Sequence, residues 1–303
     1  MSARSARNRD SGDSLSEFLH APRILDGATG TELTRRGVPT PIPLWSTAAL
    51  LSAPQTVQAI HREYVAAGAD ILTANTFRTN PRALLRAGLR DRGPELSRLA
   101  VQLARDASGS ASAGRRVLVA ASVAPAEDCY RPDLTPDERE LRAEHAELAQ
   151  WLADARPDLL WIETMGTVRE ALAAAIAARD VGVPFSVCFA LNEAGQLLSG
   201  ESLDRAIERV EPLGPLAVGL NCLPPEGLCA ALPRLRRLTK RPIAAYAHIG
   251  NPEPTCGWSF SQNVGPEAYA AYARRWLDAG ASVIGGCCGT TPAHVAALAR
   301  DMA

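Results

Sequence analysis

No apolar run in the chain approaches the ~18–20 residues of a membrane span, which argues against a spanning helix. An excess of either charge is also missing. Thirty-two basic residues against thirty-three acidic ones leave a net charge of −1, which gives no electrostatic reason to expect nucleic acid or an anionic membrane as partner. The opening stretch MSARSARNRDSGDSLSEFLH has no apolar core of the kind a secretory signal needs. Its Asp10, Asp13 and Glu17 argue against a transit peptide, and residues 1–20 are expected to form a flexible tail. The turn DGATGTEL has glycines at 27 and 30 only, short of the G-x-G-x-x-G that a doubly wound nucleotide-binding sheet would want after its first strand. A paired cysteine framework is lacking too. The seven cysteines, at 129, 188, 222, 229, 256, 287 and 288, are odd in number. Together with the missing export signal this predicts a reducing compartment, the cytoplasm by default.

What is present is a repeated alternation. Eight short apolar runs are separated by Ala/Leu/Arg-rich segments of helical period: RILDG (23–27), DILTANTF (70–77), RVLVAASVAP (116–125), LLWIETM (159–165), PFSVCFAL (184–191), AVGLNC (217–222), PIAAYAHIG (242–250) and SVIGGCC (282–288). Each is near-continuously hydrophobic, as parallel strands buried on both faces are. The segment PQTVQAIHREYVAAG opens with Pro54 and closes with Gly68, the ends of a helix. Thr135, Pro136 and Glu138 predict a capping-box start for another, and GPEAYAAYARRWLDAG (265–280) ends at a glycine. Eight strand–helix repeats with no break in composition predict a single (β/α)8 TIM barrel over residues 21–303, within the ~250 residues or more such a domain occupies.

The loops that follow barrel strands carry the chemistry of this architecture. The strand ends present Asp26, Thr76, Ser122, Glu163, Asn192 with Glu193, Asn221 with Cys222, His248, and Cys287 with Cys288. Adjacent cysteines cannot form an ordinary disulfide with each other without backbone strain. A strand would also send them to opposite faces. Gly285, Gly286 and Gly289 free the chain to leave strand geometry there, so both sulfurs can turn toward one ion. Thiolates select zinc among common cytosolic metals. The third ligand expected is Cys222, with Cys256 in the loop NPEPTCGW as the rival. Three thiolates and one vacancy describe a catalytic zinc site, and a substrate thiol suits the vacancy. Such a thiol has a free pKa near ~8.5 and loses its proton on a metal.

The residues DGATGTEL (26–33), LWS (44–46), AGADILTANTF (67–77), ASVAP (121–125), IET (162–164), GLNC (219–222) and IGGCCGTTP (284–292) resemble the homocysteine S-methyltransferase family, from about residue 23 to the C-terminus. The resemblance implies a zinc-dependent barrel that moves a methyl group from an onium donor to homocysteine, giving methionine, with zinc on Cys222, Cys287 and Cys288. It implies that Asp26 and Glu163 receive the amino group of homocysteine, with nearby backbone amides taking its carboxylate; Thr76, Ser122 and Asn221 are further candidates for substrate contact. The chain length leaves no room for the cobalamin and folate modules of large methionine synthases. The expected donor is therefore a free small molecule, S-methylmethionine or S-adenosylmethionine before betaine, and a related thiol or selenol stands as alternative acceptor. A zinc- and thiol-binding barrel without turnover is a further alternative. This sequence departs from many relatives at Ala121 and Ala124, where they carry glycines, and at Ala247 and His248, where they carry a proline–asparagine pair. Those positions are expected near the donor.

Blander roles stand beside these. Asp26 could organise its own turn, and Thr76 and Ser122 could bond backbone as readily as ligand. Glu163, after the apolar LLWI, is harder to explain without a partner, because an unpaired buried carboxylate is costly. Cys129, Cys188 and Cys229 are expected as filler or surface thiols. His61 and His145 are expected to face solvent or pack helices, His294 to cap or pack, and His248 to face either the donor or only a loop. Trp45 and Trp258 are candidates for a cation–π wall or for simple packing.

Overall fold

The eight apolar runs become eight parallel strands: β1 (Arg23–Ile24), β2 (Ile71–Ala74), β3 (Leu118–Val123), β4 (Leu159–Met165), β5 (Phe185–Phe189), β6 (Val218–Asn221), β7 (Ile243–Ala247) and β8 (Val283–Gly286). They are seen in a computed structural model that describes residues 15–253, 257–259 and 264–302. Neighbours in sequence are neighbours in the sheet from β2 through β7, β8 pairs with both β7 and β1, and Leu25 bridges to Ile71. That last bridge joins β1 to β2 and closes a (β/α)8 barrel, so no strand edge is left open. Outside run α1 (Pro54–Ala67), α2 (Gly93–Ser108), α3 (Glu138–Ala155), α4 (Val168–Asp180), α5 (Leu203–Val210), α6 (Pro225–Leu238), α7 (Pro266–Asp278) and α8 (Pro292–Met302).

Both faces of each strand are apolar because each face meets a different core. Leu72, Val119, Ile162, Val187, Leu220, Ile243 and Ile284 point outward into one cluster shared with the helices. Ile71, Leu118, Leu159, Cys188, Ala244 and Val283 point inward and fill the barrel. The period-two alternation then carries the inward row upward, from Leu118 and Ala120 to Ser122, and from Leu159 and Trp161 to Glu163. The lower members are core and the upper members line the mouth.

Two expectations about the ends of elements are corrected. Residues 15–20 are helical, and Leu15 and Leu19 are buried with the inward row, closing the bottom of the barrel. Leu19 also accepts a hydrogen bond from Ser282 Oγ at 2.7 Å. The flexible tail expected over 1–20 therefore does not extend through these residues; 1–14 lie outside the described ones. At the start of α3 the cap is Asp137, whose carboxylate accepts from Glu140 N at 2.9 Å. Thr135 instead follows the short 3-10 turn Pro132–Leu134. The aspartate wins because it is the residue in extended conformation next to the first free amides. Helix α1 ends as expected, at Gly68 with φ 113°, a conformation that favours glycine.

The mouth is elaborated by short helices at Thr29–Arg35, Ala48–Ser52 and Pro81–Arg86, and by an antiparallel hairpin pairing Asn251–Glu253 with Gly257–Ser259. Among the described residues no helix is long and apolar enough to cross a membrane.

Candidate metal and substrate site

At the C-terminal end of the strands the barrel opens into a cavity of about 800 Å³. Cys222, Cys287 and Cys288 form part of its wall, and their sulfurs lie within 4.8 Å of one another. The Cys222 and Cys287 sulfurs are in direct contact, as in a disulfide-bonded pair, with Cα atoms 5.9 Å apart. Cys288 Sγ completes the cluster. A disulfide would use two of the three sulfurs and leave Cys288 without a task, whereas a single soft cation uses all three. The donor set therefore fits a metal.

Local backbone conformation brings the sulfurs together. Cys222 sits just past β6 with φ 53°, a left-handed conformation that costs a non-glycine residue energy. It turns the side chain from the strand direction toward β8. Cys287 continues the inward row of Val283, and its amide donates to Ala247 O at 2.9 Å. Cys288 would point away in a continued strand, but the strand ends at Gly286 and the chain turns through Gly289, φ 88°. Burial pushes the Cys288 thiol well above its ordinary value, so without a cation this sulfur keeps its proton.

Two carboxylates line the same cavity. Asp26 does not organise its own turn. Its carboxylate instead accepts from Thr73 N at 2.8 Å and from Thr73 Oγ1 at 2.9 Å, tying the first loop to β2. Glu163 accepts from Ser122 Oγ at 2.5 Å and from Tyr246 OH at 3.1 Å, and Trp161 Nε1 donates to Tyr246 OH at 2.9 Å. Burial holds both carboxyls above the ordinary carboxylate range; the hydrogen bonds from Thr73, Ser122 and Tyr246 oppose that shift without cancelling it. No basic side chain pairs with either carboxyl among the described residues. A cationic ligand would supply the missing charge.

The remaining expectations divide. Ser122 lines the cavity and orients Glu163. Thr76 does not line it; its hydroxyl donates to Ser122 O at 2.7 Å, and so joins the ends of β2 and β3. Asn221 is fully buried beside the cavity, its amide donating to Thr164 Oγ1 and its carbonyl accepting from Thr164 N, each at 2.8 Å. It thereby holds Thr164, φ 61°, just after Glu163. Thr76 and Asn221, expected as substrate contacts, act as braces between neighbouring strand ends, which take up their polar groups. His248 is buried away from the cavity wall, and burial lowers its pKa to about 4. Ala121 and Ala247 face the helices, and Ala124 is absent from the wall, so these positions, expected near the donor, do not line the cavity. Asn192 folds its own loop by accepting from Ala194 N and Gln196 N.

Trp45 lines the cavity, meeting Phe77 edge-on with ring centroids 5.5 Å apart. The Trp258 side chain and Cys256 lie outside the described residues. Cys188 is core filler as expected, but Cys129 reaches the cavity. His61 is fully buried between helices, His145 meets Glu170 at 3.3 Å, and His294 packs edge-on against Tyr269. Thr73 and Tyr246 line the cavity and bond to the two carboxylates, a placement not expected from the sequence. Their signal was alternation: Thr73 stands two positions after inward Ile71, and Tyr246 two after inward Ala244.

Comparison with known proteins agrees with this geometry. The homocysteine S-methyltransferase family model matches residues 23–302. The chain belongs to that family. Homocysteine S-methyltransferase 1 of Brassica oleracea var. italica is 30% identical, over 92% of this chain and 93% of that protein. Selenocysteine methyltransferase of Astragalus bisulcatus is 29% identical over 92% of this chain and 92% of that protein. Among solved structures, the metallated form of the homocysteine methyltransferase MmuM from Escherichia coli superposes with a TM-score of 0.81. It is 31% identical and covers 92% of this chain and 96% of its own. The chain is thus an enzyme of the homocysteine S-methyltransferase family with a TIM-barrel fold.

Proposed function

We propose that the protein transfers a methyl group from a small onium donor to the thiol of homocysteine, with zinc held by Cys222, Cys287 and Cys288. The observation that carries this reading is the convergence of three sulfurs in the wall of a cavity that also holds two buried, uncompensated carboxyls. Zinc in that position would supply a substrate thiolate at neutral pH.

The chain's own groups do the rest. Asp26 and Glu163 take the ammonium of homocysteine, which favours their ionised forms and fixes the amino acid by charge-assisted hydrogen bonds. Thr73 holds the first carboxylate in place, and Ser122 and Tyr246 hold the second, so little reorganisation is left for binding. In the displacement the thiolate sulfur forms a bond to the donor methyl carbon. The bond from that carbon to the onium atom breaks, and its electron pair stays on the leaving atom. Charge is lost at both partners as they react, and a mouth walled by Trp45 and Phe77 favours that step by limiting hydration of the separated charges. The aromatic rings also suit a cationic donor.

S-Methylmethionine or S-adenosylmethionine is the favoured donor. The selenocysteine methyltransferase relative supports a second acceptor, a selenol bound in place of the thiol. The test is methionine formation by the purified, zinc-loaded protein from homocysteine with S-methylmethionine, S-adenosylmethionine or betaine. Zinc bound at one equivalent with no methionine from any of the three would refute methyl transfer and leave a binding protein.

A further inference from the structure

Arg78 stands out among the cavity's basic residues. Arg86 makes a two-pronged pair with Glu127, both contacts at 2.6 Å. Arg131 does the same with Asp133, at 2.8 and 2.6 Å. Arg78 lines the same cavity, is half-buried, and has no carboxylate partner among the described residues. One nitrogen, Nη1, donates to the backbone oxygen of Glu127 at 2.9 Å, and the guanidinium carbon lies 5.7 Å from the Phe77 ring centroid. A guanidinium has five N–H donors in a fixed plane. With one tethered to the β3 loop, the planar group is held in position while its charge remains uncompensated.

Its level in the cavity indicates what it meets. Thr73, inside β2, reaches Asp26 on the floor, whereas Arg78 follows β2 by several residues and contacts the loop beyond β3. Arg78 therefore lies outward of the floor carboxylates while remaining on the same cavity wall. A ligand against Arg78 would sit outward of an amino acid anchored at Asp26 and Glu163, in the same cavity.

We propose that Arg78 binds the carboxylate of the methyl donor and selects onium donors that carry one. The inference rests on the methyl-transfer reading and adds the donor's anchor. The donor is then a zwitterionic onium compound with its cationic end toward Trp45 and Phe77 and its carboxylate on the Arg78 guanidinium. Arg78 and the pair Asp26 and Glu163 together form a cavity with separate anionic and cationic receptors, one for each substrate's charged end.

The test uses the zinc-loaded full chain with Arg78→Gln and Arg78→Lys, homocysteine as acceptor, and S-methylmethionine or its carboxyl methyl ester as donor. For Arg78→Gln, the KM for S-methylmethionine should rise by about tenfold or more, the effect of losing a charged hydrogen bond. The KM for homocysteine and the melting temperature should stay near wild type. Arg78→Lys should recover part of the loss, and the ester should be used equally by wild type and Arg78→Gln. A donor KM within twofold of wild type overturns the assignment, as does a change in the homocysteine KM alone or an equal loss with the ester. Wild-type protein that makes no methionine from any onium donor overturns the methyl-transfer reading itself. That outcome is separate from failure at Arg78, which requires wild-type turnover to be seen.

Discussion

The two ends of the barrel interior are built by one rule and do opposite work. At the bottom the inward positions are Ile71, Leu118, Leu159 and Val283, sealed by Leu15 and Leu19. At the top the same rows end in Thr73, Ser122, Glu163 and Cys287, which border the cavity. Trp161 and Tyr246 stand between: both belong to the inner core, and their hydrogen bonds pass upward to Glu163. The lower half gains stability by removing apolar surface from water. The upper half buries polar and thiol groups at a cost, which ligands would offset. A site in this barrel is therefore made by changing the last residue of each row while its packed lower part supplies rigidity.

Five substitutions and one titration can break or sharpen that contrast. The largest expected effect is at the top: Cys222→Ala or Cys288→Ala should remove bound metal and lower activity by at least about a thousandfold, with the fold intact. Metal analysis beside circular dichroism checks this, and full zinc content in either variant would contradict it. In the inner core just below the site, Trp161→Ala should cost about 3–5 kcal/mol of stability, read from denaturant midpoints. A loss under 1 kcal/mol would deny that the packing below the site is the rigid part. Glu163→Gln should weaken homocysteine binding by about tenfold and leave zinc in place, measured by calorimetry; unchanged affinity would remove Glu163 from the site.

The same glutamate gives a pH signature in protein free of substrate. Its folded pKa is raised by burial, so its proton contributes stability fully below the unfolded value of about 4.3, and that contribution is lost as pH rises through the folded value. Wild-type protein should therefore lose stability relative to Glu163→Gln as pH rises above the unfolded value. Thermal melts that run parallel across that rise would contradict a destabilised carboxylate. The smallest expected effect is at Thr76→Val, about 1 kcal/mol of stability with homocysteine affinity unchanged. A large loss of affinity there would return Thr76 to the list of substrate contacts.

The carboxyl-terminal sulfur pair was legible because glycines flanked it, and Glu163 because a carboxylate after LLWI has few bland explanations. For Thr76 and Asn221 the bracing role was not legible, for a shared reason. A polar residue at a strand end can face the ligand or brace the adjoining strand, and only the neighbouring strand's position decides which. Thr76 meets Ser122 O, and Asn221 meets Thr164. Leu15 and Leu19 were hidden in a polar terminal stretch whose few apolar residues gain a partner only when the barrel bottom exists.

Sequence alone determined the class of fold, since eight doubly buried apolar runs separated by helical segments admit few other arrangements. It also set the chemistry on offer: soft sulfurs, two carboxylates and a polar rim at the strand ends. Tertiary structure decided which of these groups meet. Barrel closure sets residues distant along the chain around one mouth, and the left-handed turn at Cys222 aims its sulfur at Cys287 and Cys288. Local pattern constrains a residue's own backbone and face, whereas convergence depends on where every other strand ends.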